Sequence, residues 1–445
     1  MLKYALTGNP LGHSMSAVIH NEIFKIKNID AVYELKPTAN LKESFLNELK
    51  NTDGFNVTIP YKKDIIAFLD EADEKVMLYN SCNTVKIMNG VVKGYNTDVF
   101  GINDTLLKNG ISVKGKRILV TGAGGVASVM ACEMALKGAE VFIYARNTEK
   151  AKTVIKYIYN KTGKTVKLVT LDEIKDIYLL MQGTPVGMYP DNLKCILPFN
   201  ILKNIPYVFD TVYNPYKTLI LRVSEYMGNK GIGGLNMLVE QAVKAQEIFN
   251  GITFDNKEFR QILKEAKEHI PPFEIKKNII LIGPPGCGKS RISREISSVL
   301  GIKVCDVDSM IVKREKMSIN DIFKTKGERV FRQIEREIFY EALKGKNKII
   351  ATGGGLPEYN DLTLLDKEEN IIVFINPSEE VIYNRIKHNT SRPLLKEGRD
   401  ALKKLIIRRT PIYESSAHLS VNVEKECDAR DITLEIIEKL SMYLQ

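Results

Sequence analysis

No two cysteines in this 445-residue chain stand in C-x-x-C spacing, and no histidine lies at a distance from them that suits zinc. The six cysteines, Cys82, Cys132, Cys195, Cys287, Cys305 and Cys427, are scattered along the chain and read as reduced core thiols. No stretch approaches the roughly 18 uninterrupted apolar residues of a membrane span. The opening MLKYALTGNP reaches glycine and proline too early for a secretory signal, so a soluble, cytoplasmic protein without a membrane partner is expected. Nor does the net charge of +10 gather into a basic block interleaved with aromatics, the pattern a nucleic-acid groove needs. Basic residues alternate with acids, as in LDEADEKV, which reads as solvated helix faces. The expected partners are anionic small molecules and not nucleic acid; a homo-oligomer is left open.

What is present is a chain too long for one core and apolar enough, at 44% hydrophobic residues, to build two or three. Short β-branched runs recur, each followed by a glycine-rich or polar turn and a helical pattern: KRILVTGAGG, AEVFIYARN, NIILIGPPG, NKIIATGGG and NIIVFIN. That alternation predicts α/β architecture with parallel sheets. Two of the runs end in glycine-rich turns of different type, beginning at Gly122 and Gly283, and predict two nucleotide sites. Between them EAKEHIPPFEIKKN, with Pro271 and Pro272, reads as a linker over 269–276.

The run RILVTGAGGVAS fits a strand, then Gly122-x-Gly124-x-x-Ala127, then a helix. Backbone at Gly122, Ala123, Gly124, Gly125 and Val126 can there approach a pyrophosphate. The next strand, EVFIYARN, ends without the acid that binds a free 2′-hydroxyl; Arg146 stands in its place, so NADP is preferred over NAD. An ordinary surface arginine is the alternative. Upstream, GNPLGHSMSAVIHN sets Ser14 and Ser16 before a helix, where serines more often serve as caps. GFNVTIPYKK places Thr58 and Lys62 around Pro60, and SCNTVK and GYNTDVFG put Asn83, Asn96 and Asp98 just after apolar runs.

These blocks, in this order, resemble shikimate dehydrogenase from Met1 to about Phe249. The resemblance implies that Ser14 and Ser16 bind the substrate carboxylate, that Thr58, Asn83 and Gln241 hold ring hydroxyls, and that Lys62 and Asp98 are the catalytic pair. GTPVGM, with Thr184 and Gly187, resembles that family's cofactor-side loop. Tyr213 in DTVYNPYKT then borders the substrate, and Gly234 lies on the nicotinamide side. Ala17 replaces the usual proline after the second serine, and Ala145 replaces the asparagine before Arg146. The related quinate/shikimate dehydrogenases, some of which use NAD, therefore remain an alternative.

In the second half NIILIGPPGCGKS is a strand followed by Gly283-x-x-x-x-Gly288-Lys289-Ser290, the phosphate-binding loop in its strand-to-helix setting. No Asn-Lys-x-Asp sequence follows, which argues against a GTPase. DVDSMI is read as placing Asp306 and Asp308 on one face of an extended segment. Arg332 and Glu335 stand at i, i+3 on a helical pattern, where a surface salt bridge is the plain alternative. IIATGGGL ends a strand in Gly353, Gly354 and Gly355, while NTSRPLLKEG carries Arg392 and RRTPIYE carries Arg409.

This set resembles shikimate kinase from about Lys277 onward. The resemblance implies ATP binding at Gly286, Cys287, Gly288, Lys289, Ser290, Arg291 and the lid residue Arg392, and magnesium held by Ser290 and Asp306. Asp308 would accept a hydrogen bond from the reacting hydroxyl and Lys289 would hold the transferring phosphate, while Arg332, Gly354 and Arg409 would bind the substrate. The implied architecture is an α/β substrate domain over 1–103, rejoined by helix from about 236–268, and a Rossmann domain over 104–235. A nucleoside monophosphate kinase-like P-loop domain with a parallel sheet follows over 277–445. The implied activity is reduction of 3-dehydroshikimate with NADPH, then phosphorylation of shikimate with ATP and Mg2+. A half that keeps its fold but only binds or regulates is the alternative of another class.

Overall fold

The computed structural model describes residues 1–12, 14–387 and 398–444. Arg392 lies outside them. The chain divides into two compact units, Met1–Asp191 with Ile196–Pro272, and Asn192–Cys195 with Phe273–Gln445.

The first unit holds two six-stranded sheets. One contains β1 (Leu2–Gly8), β2 (Ala31–Pro37), β3 (Gly54–Val57), β4 (Glu71–Ala72), β5 (Thr84–Met88) and β6 (Val91–Tyr95) in the order β2-β1-β3-β5-β6-β4. It is mixed, because β5 runs antiparallel to both β3 and β6. The other contains β7 (Arg117–Thr121), β8 (Glu140–Tyr144), β9 (Val166–Leu168), β10 (Leu179–Gln182), β11 (Tyr207–Asp210) and β12 (Lys230–Ile232). Its order is β12-β11-β10-β7-β8-β9 and all its pairs are parallel, the doubly wound arrangement whose strand order reverses between β7 and β10. In sheets of this kind ligands bind beyond the carboxyl ends of the strands at that reversal.

Two C-terminal helices, Gly234–Asn250 and Asn256–Glu268, return to the first sheet. The second is started by Asp255, whose carboxylate accepts the Lys257 and Glu258 amides while Glu258 accepts the Asp255 amide. Leu235, Val239, Ala242 and Ile262 from this pair share a core with Met15, Ile19 and Ile23 at the start of the chain. The first of the pair also crosses the helix Asp98–Lys108 at close range. A Cβ on Gly101 would stand 2.7 Å from the Met237 carbonyl, so only glycine permits the approach.

The second unit is one five-stranded sheet of β13 (Asn278–Ile282), β14 (Lys303–Asp306), β15 (Lys348–Ala351), β16 (Asn370–Pro377) and β17 (Leu419–Val423). All pairs are parallel and the order is β14-β15-β13-β16-β17. β13 is buried along its whole length, which explains the apolar run Ile279–Ile282 after Asn278.

The units divide after Pro272, inside the linker 269–276, in which Ile270, Phe273 and Ile275 are buried. One expectation needs correction. Cys195 and Cys427 are only half-buried and are not core thiols. Among the described residues no helix is long and apolar enough to cross a membrane.

Candidate active sites

In the first unit, Lys62 lies in the turn after β3 and Asp98 opens the helix Asp98–Lys108. The Lys62 ammonium donates to Asp98 Oδ2 at 2.6 Å. Asn83 Nδ2 donates to Asp98 Oδ1 at 3.0 Å and to Thr97 Oγ1 at 2.9 Å, while the Thr97 amide donates to Asn83 Oδ1 at 2.7 Å. Gln241 reaches the same group from the helix Gly234–Asn250, its Oε1 3.4 Å from the Thr97 hydroxyl. Four segments far apart in sequence thus meet around one carboxylate. Thr58 stands beside them, half-buried, its amide bonded to the Thr7 carbonyl.

Ser14 and Ser16 do not cap the helix Ser16–Lys27, whose N-cap is Met15. Their hydroxyls face each other at 3.2 Å. Behind them Tyr33 shares a hydrogen bond with Ser16 and donates to Asn56 Oδ1 at 2.7 Å, and Asn56 Nδ2 passes the chain on to Thr84 Oγ1 at 2.9 Å. The Tyr213 hydroxyl is bonded to the backbone of Met15, between the two serines, and burial raises its pKa. His20 stacks on Tyr33, and burial lowers its pKa to about 3, so it is a neutral support and not an acid–base group. Sequence reasoning missed Thr97, Tyr33 and Asn56. The signal for Asn56 was a lone amide in the apolar strand GFNV, because a fully buried polar group in a strand requires partners.

Asn96 does not join this group. Its amide bonds the Ser81 carbonyl at 2.8 Å.

At the reversal point of the parallel sheet, Gly122 follows β7 with φ +98 and Gly124 is the N-cap of the helix Gly125–Leu136. A Cβ on Gly122 would stand 2.7 Å from Thr184 Cγ2, so the GTPVGM loop lies directly against the glycine turn. Gly124 and Gly125 have nothing near their Cβ positions, leaving the helix amino end open to an anion. Arg146 is exposed, two residues beyond β8. Gly234 begins the helix bearing Gln241, its amide 3.3 Å from the Val212 carbonyl. These features fit a dinucleotide.

In the second unit, a cleft of about 1010 Å3 is lined by Gly286, Gly288, Lys289, Ser290 and Arg291 on one side and by Asp308, Arg332, Glu335, Gly354 and Arg409 on the other. Gly286 and Gly288 take positive φ, and Lys289 is buried with its ammonium 2.8 Å from the Gly283 carbonyl and 3.2 Å from that of Pro284. Cys287 is buried, its carbonyl held by Arg385 at 3.2 Å. The loop leads into the helix Lys289–Leu300, and the Ser290 hydroxyl is the kind of hard oxygen donor magnesium takes.

The extended reading of Asp306 and Asp308 is overturned. β14 ends at Asp306, which caps the helix Val307–Glu315 by accepting the Ser309 amide at 2.8 Å. Asp308 lies in that helix's first turn and faces the cleft, whereas Asp306 does not line it. The alternate-residue argument fails where a strand gives way to a helix, and the spacing of Asp306 and Ser309 was the visible cap signal.

Arg332 and Glu335 are no surface salt bridge. Arg332 donates to Glu335 at 2.8 Å, and Glu335 is only 1% exposed. Burial raises the Glu335 pKa, Arg332 opposes this, and the nearby Asp308 adds to it. The three glycines after β15 make this packing possible, since Cβ atoms on Gly353, Gly354 and Gly355 would meet Glu335, Pro285 and Arg332 respectively. Arg409 is 2.9 Å from Glu358, and Tyr413 donates to the Gly354 carbonyl at 2.5 Å. Glu335 was legible as a partner of Arg332, but Glu358 and Arg385 carried no motif.

The comparisons agree with this division. Residues 6–85 match the model of the shikimate dehydrogenase substrate binding domain, and residues 285–441 match that of shikimate kinase. The NADP(+) shikimate dehydrogenase of Caldicellulosiruptor saccharolyticus is 40% identical over 280 residues, covering 61% of this chain and 100% of that protein. A crystal structure of a shikimate dehydrogenase in complex with NADP+ aligns with TM-score 0.55 and 33% identity, over 60% of this chain and 95% of that one. The Thermus thermophilus enzyme in complex with NADP(H) and shikimate aligns with TM-score 0.54 and 28% identity, over 60% and 100%.

Proposed function

Because this chain belongs to the shikimate dehydrogenase family and carries a shikimate kinase domain after it, we propose that it reduces 3-dehydroshikimate at one site and phosphorylates the resulting shikimate at the other. It is an NADP-dependent oxidoreductase and an ATP- and Mg2+-dependent phosphotransferase of the shikimate pathway. Residues 1–103 with 236–268 form the substrate part of the dehydrogenase, 104–235 its cofactor part, and 277–445 the kinase.

The observation that carries the first assignment is the Lys62–Asp98 contact of 2.6 Å within the Asn83, Thr97 and Gln241 group. NADPH, when bound, supplies the hydride to the ketone carbon. Negative charge then grows on the carbonyl oxygen, and the Lys62 ammonium donates a proton to it. Asp98 aims that ammonium. Thr58, Asn83 and Gln241 hold ring hydroxyls, Ser14 and Ser16 bind the carboxylate, and Tyr213 borders the substrate. The amides around Gly122, Ala123, Gly124, Gly125 and Val126 take the pyrophosphate, Arg146 the 2′-phosphate, and Gly234 lets the nicotinamide side approach the helix.

For the kinase, ATP with Mg2+ supplies the γ-phosphoryl group. Gly286, Cys287, Gly288 and Arg291 offer backbone amides to the phosphates, and Lys289 turns from its loop carbonyls to their oxygens. Ser290 supplies the hydroxyl for magnesium, while Asp306 is taken up in capping its helix. Asp308 accepts a hydrogen bond from the reacting hydroxyl, and Arg332 and Arg409 clamp the carboxylate with forked donors beside Gly354.

The test follows NADPH oxidation with 3-dehydroshikimate, in parallel with NADH, and then adds ATP and magnesium. NADPH consumption followed by shikimate 3-phosphate is the expected result. Turnover with NADH alone, or no phosphorylated product, overturns the corresponding half.

A further inference from the structure

Asp210 ends β11 and is fully buried, yet the partners its carboxylate has among the described residues are all neutral. The Thr218 hydroxyl donates to Oδ2 at 2.5 Å, and the Val212 amide donates to Oδ1 at 2.9 Å. Gln182, the last residue of β10, donates from Nε2 to the same Oδ1 at 3.2 Å and to the Val186 carbonyl at 2.9 Å. The Asp210 and Gln182 side chains together therefore tie the ends of two adjacent strands to both loops that leave them.

Those loops reach three parts of the dehydrogenase site. Thr184 in the first lies against the Gly122 turn. In the second, Tyr213 bonds the backbone between Ser14 and Ser16, and the Val212 carbonyl receives the Gly234 amide at the start of the helix carrying Gln241. A buried carboxylate without a cation is costly, and an apolar residue there would remove that cost. A network of directed hydrogen bonds is what such an acid provides and an apolar side chain does not.

We propose that Asp210 is a positioning residue of the dehydrogenase, holding the cofactor-side loop and the Tyr213 loop in one geometry so that cofactor and substrate meet. The inference rests on the site reading given above. It acts through hydrogen bonds and not through charge. Burial lifts the Asp210 pKa to about 7, so near neutral pH both protonation states are present. The neutral acid keeps the pattern, with the Thr218 hydroxyl turning from donor to acceptor. An asparagine can do the same.

The experiment uses the full chain with Asp210→Asn, Asp210→Ala and Thr218→Val, measuring kcat and KM for NADPH and 3-dehydroshikimate. A thermal melt of each preparation beside the parent reports that the first unit is folded, since kinase activity reports only on the second. Asp210→Ala is expected to raise both KM values by about tenfold or more, as loss of loop placement does. Asp210→Asn should stay within about threefold of the parent and Thr218→Val should raise KM by about threefold, each amounting to one exchanged or lost neutral hydrogen bond. A purely structural role would lower kcat through a smaller active fraction and leave KM alone, and that result overturns the proposal. So does an Asp210→Asn variant as impaired as Asp210→Ala. Should Asp210→Ala not fold, parental KM values in Thr218→Val overturn it equally. A parent chain that fails to oxidise NADPH with 3-dehydroshikimate refutes the site reading itself, and the proposal falls with it.

Discussion

The carboxylate of Glu335 fills the space into which a Cβ on Gly353 would project. Glycine at that strand end is thus the counterpart of a buried acid, which in turn holds Arg332 at 2.8 Å. Gly353→Ala should push the acid and its arginine off their places and cut shikimate phosphorylation by about a hundredfold. Dehydrogenase activity on the same chain should be kept. A coupled phosphorylation assay beside NADPH oxidation reads both, and unimpaired phosphorylation would show that the Glu335–Arg332 arrangement is not needed.

In the proposed reduction Lys62 gives the proton to the ketone oxygen. Lys62→Met should lower the dehydrogenase kcat by roughly 10²–10⁴-fold, the range for loss of a general acid. Phosphorylation of added shikimate should be untouched. Steady-state kinetics of both reactions decide it, and a kcat within a few fold of the parent refutes the role.

Arg146 stands exposed beyond β8, where a charged hydrogen bond to a 2′-phosphate is worth about 1.5–3 kcal/mol. Arg146→Ala should raise the KM for NADPH by about ten- to a hundredfold and leave the KM for NADH unchanged. Equal effects on the two cofactors would remove the 2′-phosphate from the explanation.

The helix of Asp98 and the helix of Gln241 touch at Gly101, where an added methyl would stand 3.3 Å from Gln241 Cβ as well as 2.7 Å from the Met237 carbonyl. Gly101→Ala should cost about 1–3 kcal/mol of stability in the first unit, as overpacking does. It should also raise the KM for 3-dehydroshikimate. Denaturant melts and kinetics on the purified full chain test both effects together.

Asp210 also gives a pH dependence whose sign is fixed. Its pKa rises from 3.8 to about 7 through burial, so in that window the folded chain holds a proton that the unfolded chain has released. Stability contributed by this group is present at the acid end and falls as pH rises toward 7. Asp210→Asn should flatten that part of the stability curve, so that the variant gains on the parent between pH 4 and pH 7. Thermal melts across the window measure the difference, and parallel curves would contradict it.

Both nucleotide sites were legible because their chemistry is backbone chemistry. A strand, glycines and a helix start must be contiguous to cradle phosphates, so Gly122–Val126 and Gly286–Ser290 announced themselves. Substrate pockets are assembled from distant segments, and there only the resemblance linked Lys62, Asn83, Asp98 and Gln241 in advance. What stayed hidden were residues acting through others. Tyr33 and Asn56 sit in ordinary strand sequences, and Glu358 acquires its meaning only when the helix Gly398–Ser416 brings Arg409 to within 2.9 Å. Asp306 was misplaced by one structural transition, the point at which β14 becomes a helix.

The return of the helix Gly234–Asn250 to the first sheet sets an order of events during synthesis. Both sheets of the first unit are complete once β12 has been made, yet Gln241 and the partners of Met15, Ile19 and Ile23 are still to come. A fragment ending before residue 234 would hold every strand of that unit and lack one wall of its substrate pocket. Any scheme that separates the two enzymes, in the laboratory or in the history of the gene, has to cut beyond Glu268, after the last helix that packs on the helix Ser16–Lys27.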